Sequence, residues 1–156
     1  MIGNVNIEEP FERNGLTPLQ AAVFHKNLKL VKLFVENGAN LNAKIQSHPK
    51  VSKSLEGYTP LLMAAKSSSE SGNATEIAKY LLESGADVTA IGNDGFNMMN
   101  WAIENANYTI IVELAKFGIV KGTTETQICH FDEHLKSTWC EDLITWATKR
   151  RLTGNF

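Results

Sequence analysis

The fold class this sequence predicts is all-α: a solenoid of about three helix-turn-helix repeats closed by a C-terminal helical cap. Two observations carry that prediction. The box Gly15-Leu16-Thr17-Pro18-Leu19-Gln20-Ala21-Ala22 returns as Gly57-Tyr58-Thr59-Pro60-Leu61-Leu62-Met63-Ala64-Ala65, and in weaker form as Gly95-Phe96-Asn97-Met98-Met99-Asn100-Trp101-Ala102-Ile103. Each box is followed by a second block that closes near a glycine: Val31 to Ala39, Ala78 to Ala86 and Val112 to Ile119. Self-similarity at a spacing of a few tens of residues is the signature of stacked supersecondary units, none of which can bury its apolar face alone.

Each element follows from local chemistry. Thr17 and Thr59 can cap a helix N-terminus with the hydroxyl. Pro18 and Pro60 then occupy the first helical position, where a missing N–H costs nothing. Leu19, Ala22 and Val23 continue at helical spacing, as do Leu61, Ala64 and Ala65. The second helix of the first unit is predicted to place Leu30, Val31, Phe34 and Val35 on one buried stripe. Gly38 and Gly85 end their helices in a left-handed conformation.

The spacing also locates insertions. Gly38 follows Pro18 by 20 residues and Gly85 follows Pro60 by 25, so the second unit holds five extra residues between its helices, around Ser67 to Gly72. Nine more fall within Lys44 to Glu56, between the first two units. Both read as polar surface loops, which cost little extra closure entropy. The third unit departs from the pattern: its first turn lacks a proline, and Glu113 falls at a normally apolar position.

These boxes resemble the ankyrin repeat, with its Thr-Pro-Leu-His-x-Ala-Ala opening and Gly-Ala-Asp-like close. The resulting organisation is a lead-in over 1–12, repeats within 13–122 (about 13–43, 55–91 and 93–122, with an insertion at 44–56), and a helical cap or degenerate fourth repeat over 123–156. In that last segment, Thr124 to Lys136 and Trp139 to Arg151 are predicted helices. Leu143, Trp146 and Ala147 would face inward, and the cations Lys149 to Arg151 suit the C-terminal end of the second.

Composition excludes several function classes. Of the 156 residues 43% are hydrophobic, which argues against global disorder. The longest apolar runs span only a few residues, so no membrane segment is expected. Met1 to Pro10 contains Glu8 and Glu9 and no apolar run of the kind a secretory signal needs. A net charge of -2 argues against a broad nucleic-acid surface. Two cysteines, Cys129 and Cys140, are too few for a disulfide framework and point to a reducing, cytoplasmic setting.

The ankyrin resemblance implies non-catalytic protein binding, by a monomer without cofactor, through a concave groove of turn tips and first helices. The residue after each opening glycine belongs to that groove: Leu16, Tyr58 and Phe96 are expected in a row, partly exposed as binding anchors, or else packed against neighbouring turns, two readings the sequence leaves equally open. Phe24 and His25, Lys66, Glu104 and Asn105 extend the face, whereas Trp101, Trp139 and Trp146 are assigned to packing. On this reading, Tyr58→Ala with Phe96→Ala abolishes partner binding and leaves the melting point nearly intact. An adaptor fits, as does a microbial effector acting in a host cytoplasm.

Two other constellations compete. His130-Phe131-Asp132-Glu133-His134 matches a His-x-x-Glu-His pattern, so His130, Glu133 and His134 define the alternative of a zinc-dependent enzyme or structural zinc site. Only 22 residues follow His134, and a capping helix with a wet polar face accounts for the same letters. Lys44, Lys50, Lys53 and His48 make the 44–56 insertion basic. A solubilised loop is the preferred reading there, and a docking finger for an acidic partner the other.

Overall fold

The computed structural model describes residues 6–11, 13–68, 72–105 and 107–116. Six helices follow in order: α1 (Pro18–Phe24), α2 (Leu28–Glu36), α3 (Pro60–Lys66), α4 (Gly72–Glu83), α5 (Met98–Glu104) and α6 (Tyr108–Lys116). Among the described residues there is no strand. Helices α1, α3 and α5 stack as one row, and α2, α4 and α6 as a second row against it. A single core runs through the stack, from Leu19 and Val31 through Leu61, Ile77 and Leu81 to Met98 and Ile110.

The caps explain where the first-row helices start. The Thr17 hydroxyl accepts the Gln20 backbone N–H at 3.3 Å, and the Gln20 side-chain oxygen accepts the Thr17 N–H at 2.9 Å. This is a reciprocal capping box, in which each side chain satisfies the other residue's orphan amide. Thr59 caps α3 through the Leu62 N–H, also at 3.3 Å. The third repeat keeps the box without threonine or proline: Asn97 and Asn100 exchange the same two bonds, each 2.9 Å. Gly38 and Gly85 close α2 and α4 at φ +84° and +90°, the left-handed region their positions require.

Four sequence expectations change on contact with the structure. The five extra residues of repeat 2 do not form only a loop. Helix α4 has 12 residues against 9 in α2, so much of the insertion continues the helix. The 44–56 insertion is not purely a solvated loop either. Ile45 is buried; its N–H donates to the Tyr58 carbonyl at 2.9 Å and its carbonyl accepts the Gly57 N–H at 2.9 Å. One 3₁₀ turn, Lys53–Leu55, then leads into the next repeat. Leu30 leaves the expected buried stripe and stands exposed, while Val31 is fully buried. Glu113 is buried, and its carboxylate lies 3.7 Å from the Lys79 ammonium of α4, which supplies the counter-charge its position lacks.

The lead-in packs Ile7 against the core, and the Glu8 carboxylate accepts the Asn40 N–H at 2.7 Å. The predicted cap over 123–156 lies outside the described residues.

Candidate functional site

Counting from the N-caps Thr17, Thr59 and Asn97 brings Phe24, Lys66 and Glu104 into one row, and His25, Ser67 and Asn105 into the next. Phe24 is 53% exposed, with its ring edge-on to His25 at 5.4 Å. Lys66 is half-buried and Glu104 is exposed. These four residues therefore stand on an accessible edge of the first helix row.

The expected row of partly exposed residues after the opening glycines does not form. Tyr58 is 0% exposed and Leu16 is 5% exposed; only Phe96 is half-buried. The physical reason lies in the next turn. The Tyr58 ring turns inward over Gly92, where any side chain would run into it. Its hydroxyl donates to the Asp94 carboxylate and accepts the Trp101 Nε1–H at 3.0 Å. Burial first, and then Asp94 as acceptor and as negative charge, push the Tyr58 hydroxyl well above the ordinary phenol range. Tyr58 is thus a structural tie between repeats 2 and 3 and cannot be an exposed anchor. Tyr58→Ala cannot leave the melting point intact.

Asn105 also turns out to be committed within the fold. Its side-chain NH₂ donates to the carbonyls of Ala65 and Lys66 at 2.9 and 3.1 Å, and lies 3.3 Å from the Ser68 hydroxyl. It closes the C-terminal end of α3, joining the Ser68 N–H and hydroxyl that also reach the Ala65 carbonyl.

Trp101 packs partly against the core, as the sequence led one to expect, and also reaches the surface. It is half-buried, and its ring lies 4.7 Å from Phe96. The Lys66 ammonium sits 4.8 Å from the Trp101 ring and 5.0 Å from the Tyr58 ring, and donates to the Ser54 carbonyl at 3.2 Å. A cation is held over aromatic faces by their quadrupoles. The result is a preset patch of Lys66, Phe96 and Trp101 at the junction of repeats 2 and 3. A signal existed: Trp101 aligns with Ala21 and Met63, a position occupied by three side chains of very different size.

Charge is segregated along the stack. Residues 13–66 hold eight basic and two acidic side chains; residues 72–116 hold two basic and six acidic. Lys66 lies at the boundary. Among the described residues no group of three or more His, Cys, Asp or Glu is placed to hold a metal ion. His130, Glu133 and His134 lie outside the described residues, as do Trp139 and Trp146. No helix among the described residues is long and apolar enough to cross a membrane.

Comparison with known proteins gives the same picture. A model of ankyrin repeats in three copies matches residues 45–125, and a single-repeat model matches 14–45. Rat "Ankyrin repeat and SAM domain-containing protein 6" is 39% identical over 83 residues, 53% of this chain and 8% of that protein. Human "Protein phosphatase 1 regulatory subunit 27" is 34% identical over 111 residues, 71% of this chain and 58% of that protein. The chain thus spans only part of either relative's length. The crystal structure of an ankyrin repeat domain from Acinetobacter baumannii superposes with a TM-score of 0.59 at 24% identity, covering 73% of this chain and 53% of that one. That likeness establishes the fold. Ankyrin repeats are protein–protein interaction modules, and with family models matching across 14–125 this chain belongs to the ankyrin repeat family.

Proposed function

We propose that the chain is a non-catalytic adaptor that binds one protein partner along the exposed edge of α1, α3 and α5. The observation that carries this is the Lys66–Phe96–Trp101 patch, together with the exposed Phe24. Its side chains are positioned before any partner arrives, so little ordering entropy is lost on binding. Aromatic residues backed by a cation are the usual energetic anchors of an interface. A partner segment that suits the patch carries an apolar side chain for Trp101 and Phe96 and a carboxylate for Lys66. A second carboxylate suits the basic end near His25. Similarity to a regulatory subunit of protein phosphatase 1 supports a regulatory role for such binding. The surface works in the same way in a cytoplasmic adaptor and in an effector delivered to a host cytoplasm.

The test pairs the exposed Phe24 with the half-buried Lys66 and uses circular dichroism as the control for folding. Affinity capture from cell extract with wild type is compared with Phe24→Ser/Lys66→Glu, quantified by mass spectrometry. The expected result is a partner recovered by wild type and reduced about tenfold or more by the double variant, with the variant still folded at the assay temperature. Equal recovery by both proteins refutes the assignment of this edge.

A further inference from the structure

The second-row helices carry an observation that partner binding does not absorb. Counted back from the closing glycines, Leu30, Ile77 and Ile110 are equivalent, each eight residues before its glycine; Leu33, Tyr80 and Glu113 are equivalent, each five before. In repeats 2 and 3 these positions are covered by the preceding repeat. Ile77 and Ile110 are 0% exposed. The Tyr80 ring lies 5.4 Å beneath the Lys32 ammonium, and Glu113 lies 3.7 Å from that of Lys79. In repeat 1 the same two positions are open: Leu30 and Leu33 are each 40% exposed and line a shallow depression with Asn27, Lys29, Lys32 and Glu36. This repeat thus keeps, on an exposed face, the apolar pair of an internal repeat.

We infer that the α2 face is an interface between two copies of this chain, packed antiparallel about a twofold axis. The charge pattern of α2 specifies the occupant. Lys29 and Glu36 lie seven residues apart, at nearly the same angle around the helix and at opposite ends of it. When a second α2 is laid antiparallel, Lys29 of each copy faces Glu36 of the other. The same register sets Leu33 against Leu33, with Leu30 on either side. An isologous contact needs this self-complementarity of a single patch. A patch of one nine-residue helix is small against a standard interface, so the dimer is weak and concentration-dependent.

Sedimentation velocity on the full chain from about 10 µM to about 1 mM tests the inference, with melting temperature as the control for folding. Wild type is expected to move from monomer toward twice the 17.2 kDa chain mass. Lys29→Glu, which sets like charges opposite each other at both ends, and Leu33→Lys are each expected to weaken dimerisation about tenfold. The double exchange Lys29→Glu/Glu36→Lys is expected to restore it to within about threefold. A wild type that stays monomeric throughout overturns the inference. So does a dimer indifferent to Leu33→Lys, or one that the double exchange fails to rescue.

Discussion

Replacing Tyr58 with phenylalanine isolates the tie between repeats 2 and 3. The ring remains over Gly92, so no cavity opens. Only the hydroxyl is lost, and with it the bond to the Asp94 carboxylate and the acceptor for Trp101 Nε1–H. A hydrogen bond to a charged group contributes about 1.5–3 kcal/mol net. Asp94 is exposed and recovers water when the hydroxyl goes, which offsets part of the loss. The half-buried Trp101 N–H recovers less. The expected destabilisation is about 2 kcal/mol, or about 6 °C in Tm for a chain of this size. Urea denaturation followed by far-ultraviolet circular dichroism measures it directly. Tyr58→Ala, which also empties a fully buried site, is expected to cost about 3–5 kcal/mol. A Tyr58→Phe protein within about 0.5 kcal/mol of wild type would show that the hydroxyl network contributes no net stability.

Three further outcomes follow from the same geometry. The folded-state shift of the Tyr58 hydroxyl is upward, so its stabilisation is fully present below the unfolded phenol value of about 10 and is lost as pH rises from there toward the folded value; the stability gap between wild type and Tyr58→Phe is expected to hold up to about pH 10 and to shrink progressively above it. Asn105→Ala leaves the Ala65 and Lys66 carbonyls without this partner and is expected to cost about 1–2 kcal/mol, against less than about 0.5 kcal/mol for the neighbouring exposed Glu104→Ala, both read from urea midpoints. Ile45→Ala is expected to cost about 2–4 kcal/mol by removing the buried peg of the 44–56 insertion, whereas Lys50→Ala and Lys53→Ala, both exposed, should leave the thermal transition within about 1 °C of wild type.

The helices were readable because their signals are local. A threonine, a proline and an apolar period lie within a few residues of one another, and the structure begins α1 and α3 where those signals stand. Even the proline-free α5 was placed by alignment with its neighbours, although the reciprocal asparagine cap that holds it was not foreseen. The direction of a side chain is a different kind of information. Tyr58 occupies the position the repeat pattern assigns to the groove, but its orientation is decided by Gly92, Asp94 and Trp101, more than thirty residues along the chain. Ile45 was hidden for a related reason. Ile45, Val51 and Leu55 are scattered through a polar insertion without a helical or strand period, and the burial of Ile45 depends on pairing with Gly57 and Tyr58. Trp101 packs partly against the core, as an aromatic ring on a helix is expected to, but its open face is set by Phe96 and Lys66, residues from two different repeats.

The two interaction surfaces lie on different helix rows, and this separates their tests. Lys66, Phe96, Trp101 and Phe24 belong to or border the row of α1, α3 and α5; Leu30, Leu33, Lys29 and Glu36 belong to α2 in the other. A change on one row leaves the other intact. Lys66→Glu should therefore weaken partner capture without altering sedimentation, and Leu33→Lys should weaken dimerisation without altering capture at low concentration. If dimer and partner form together, each assembly presents two identical grooves. A partner with two binding segments would then be held more tightly by wild type than by Leu33→Lys, because the second contact becomes intramolecular. A partner with one segment would bind both proteins alike. The ratio of the two affinities thus reports how many segments the partner offers, a property that neither surface reveals alone.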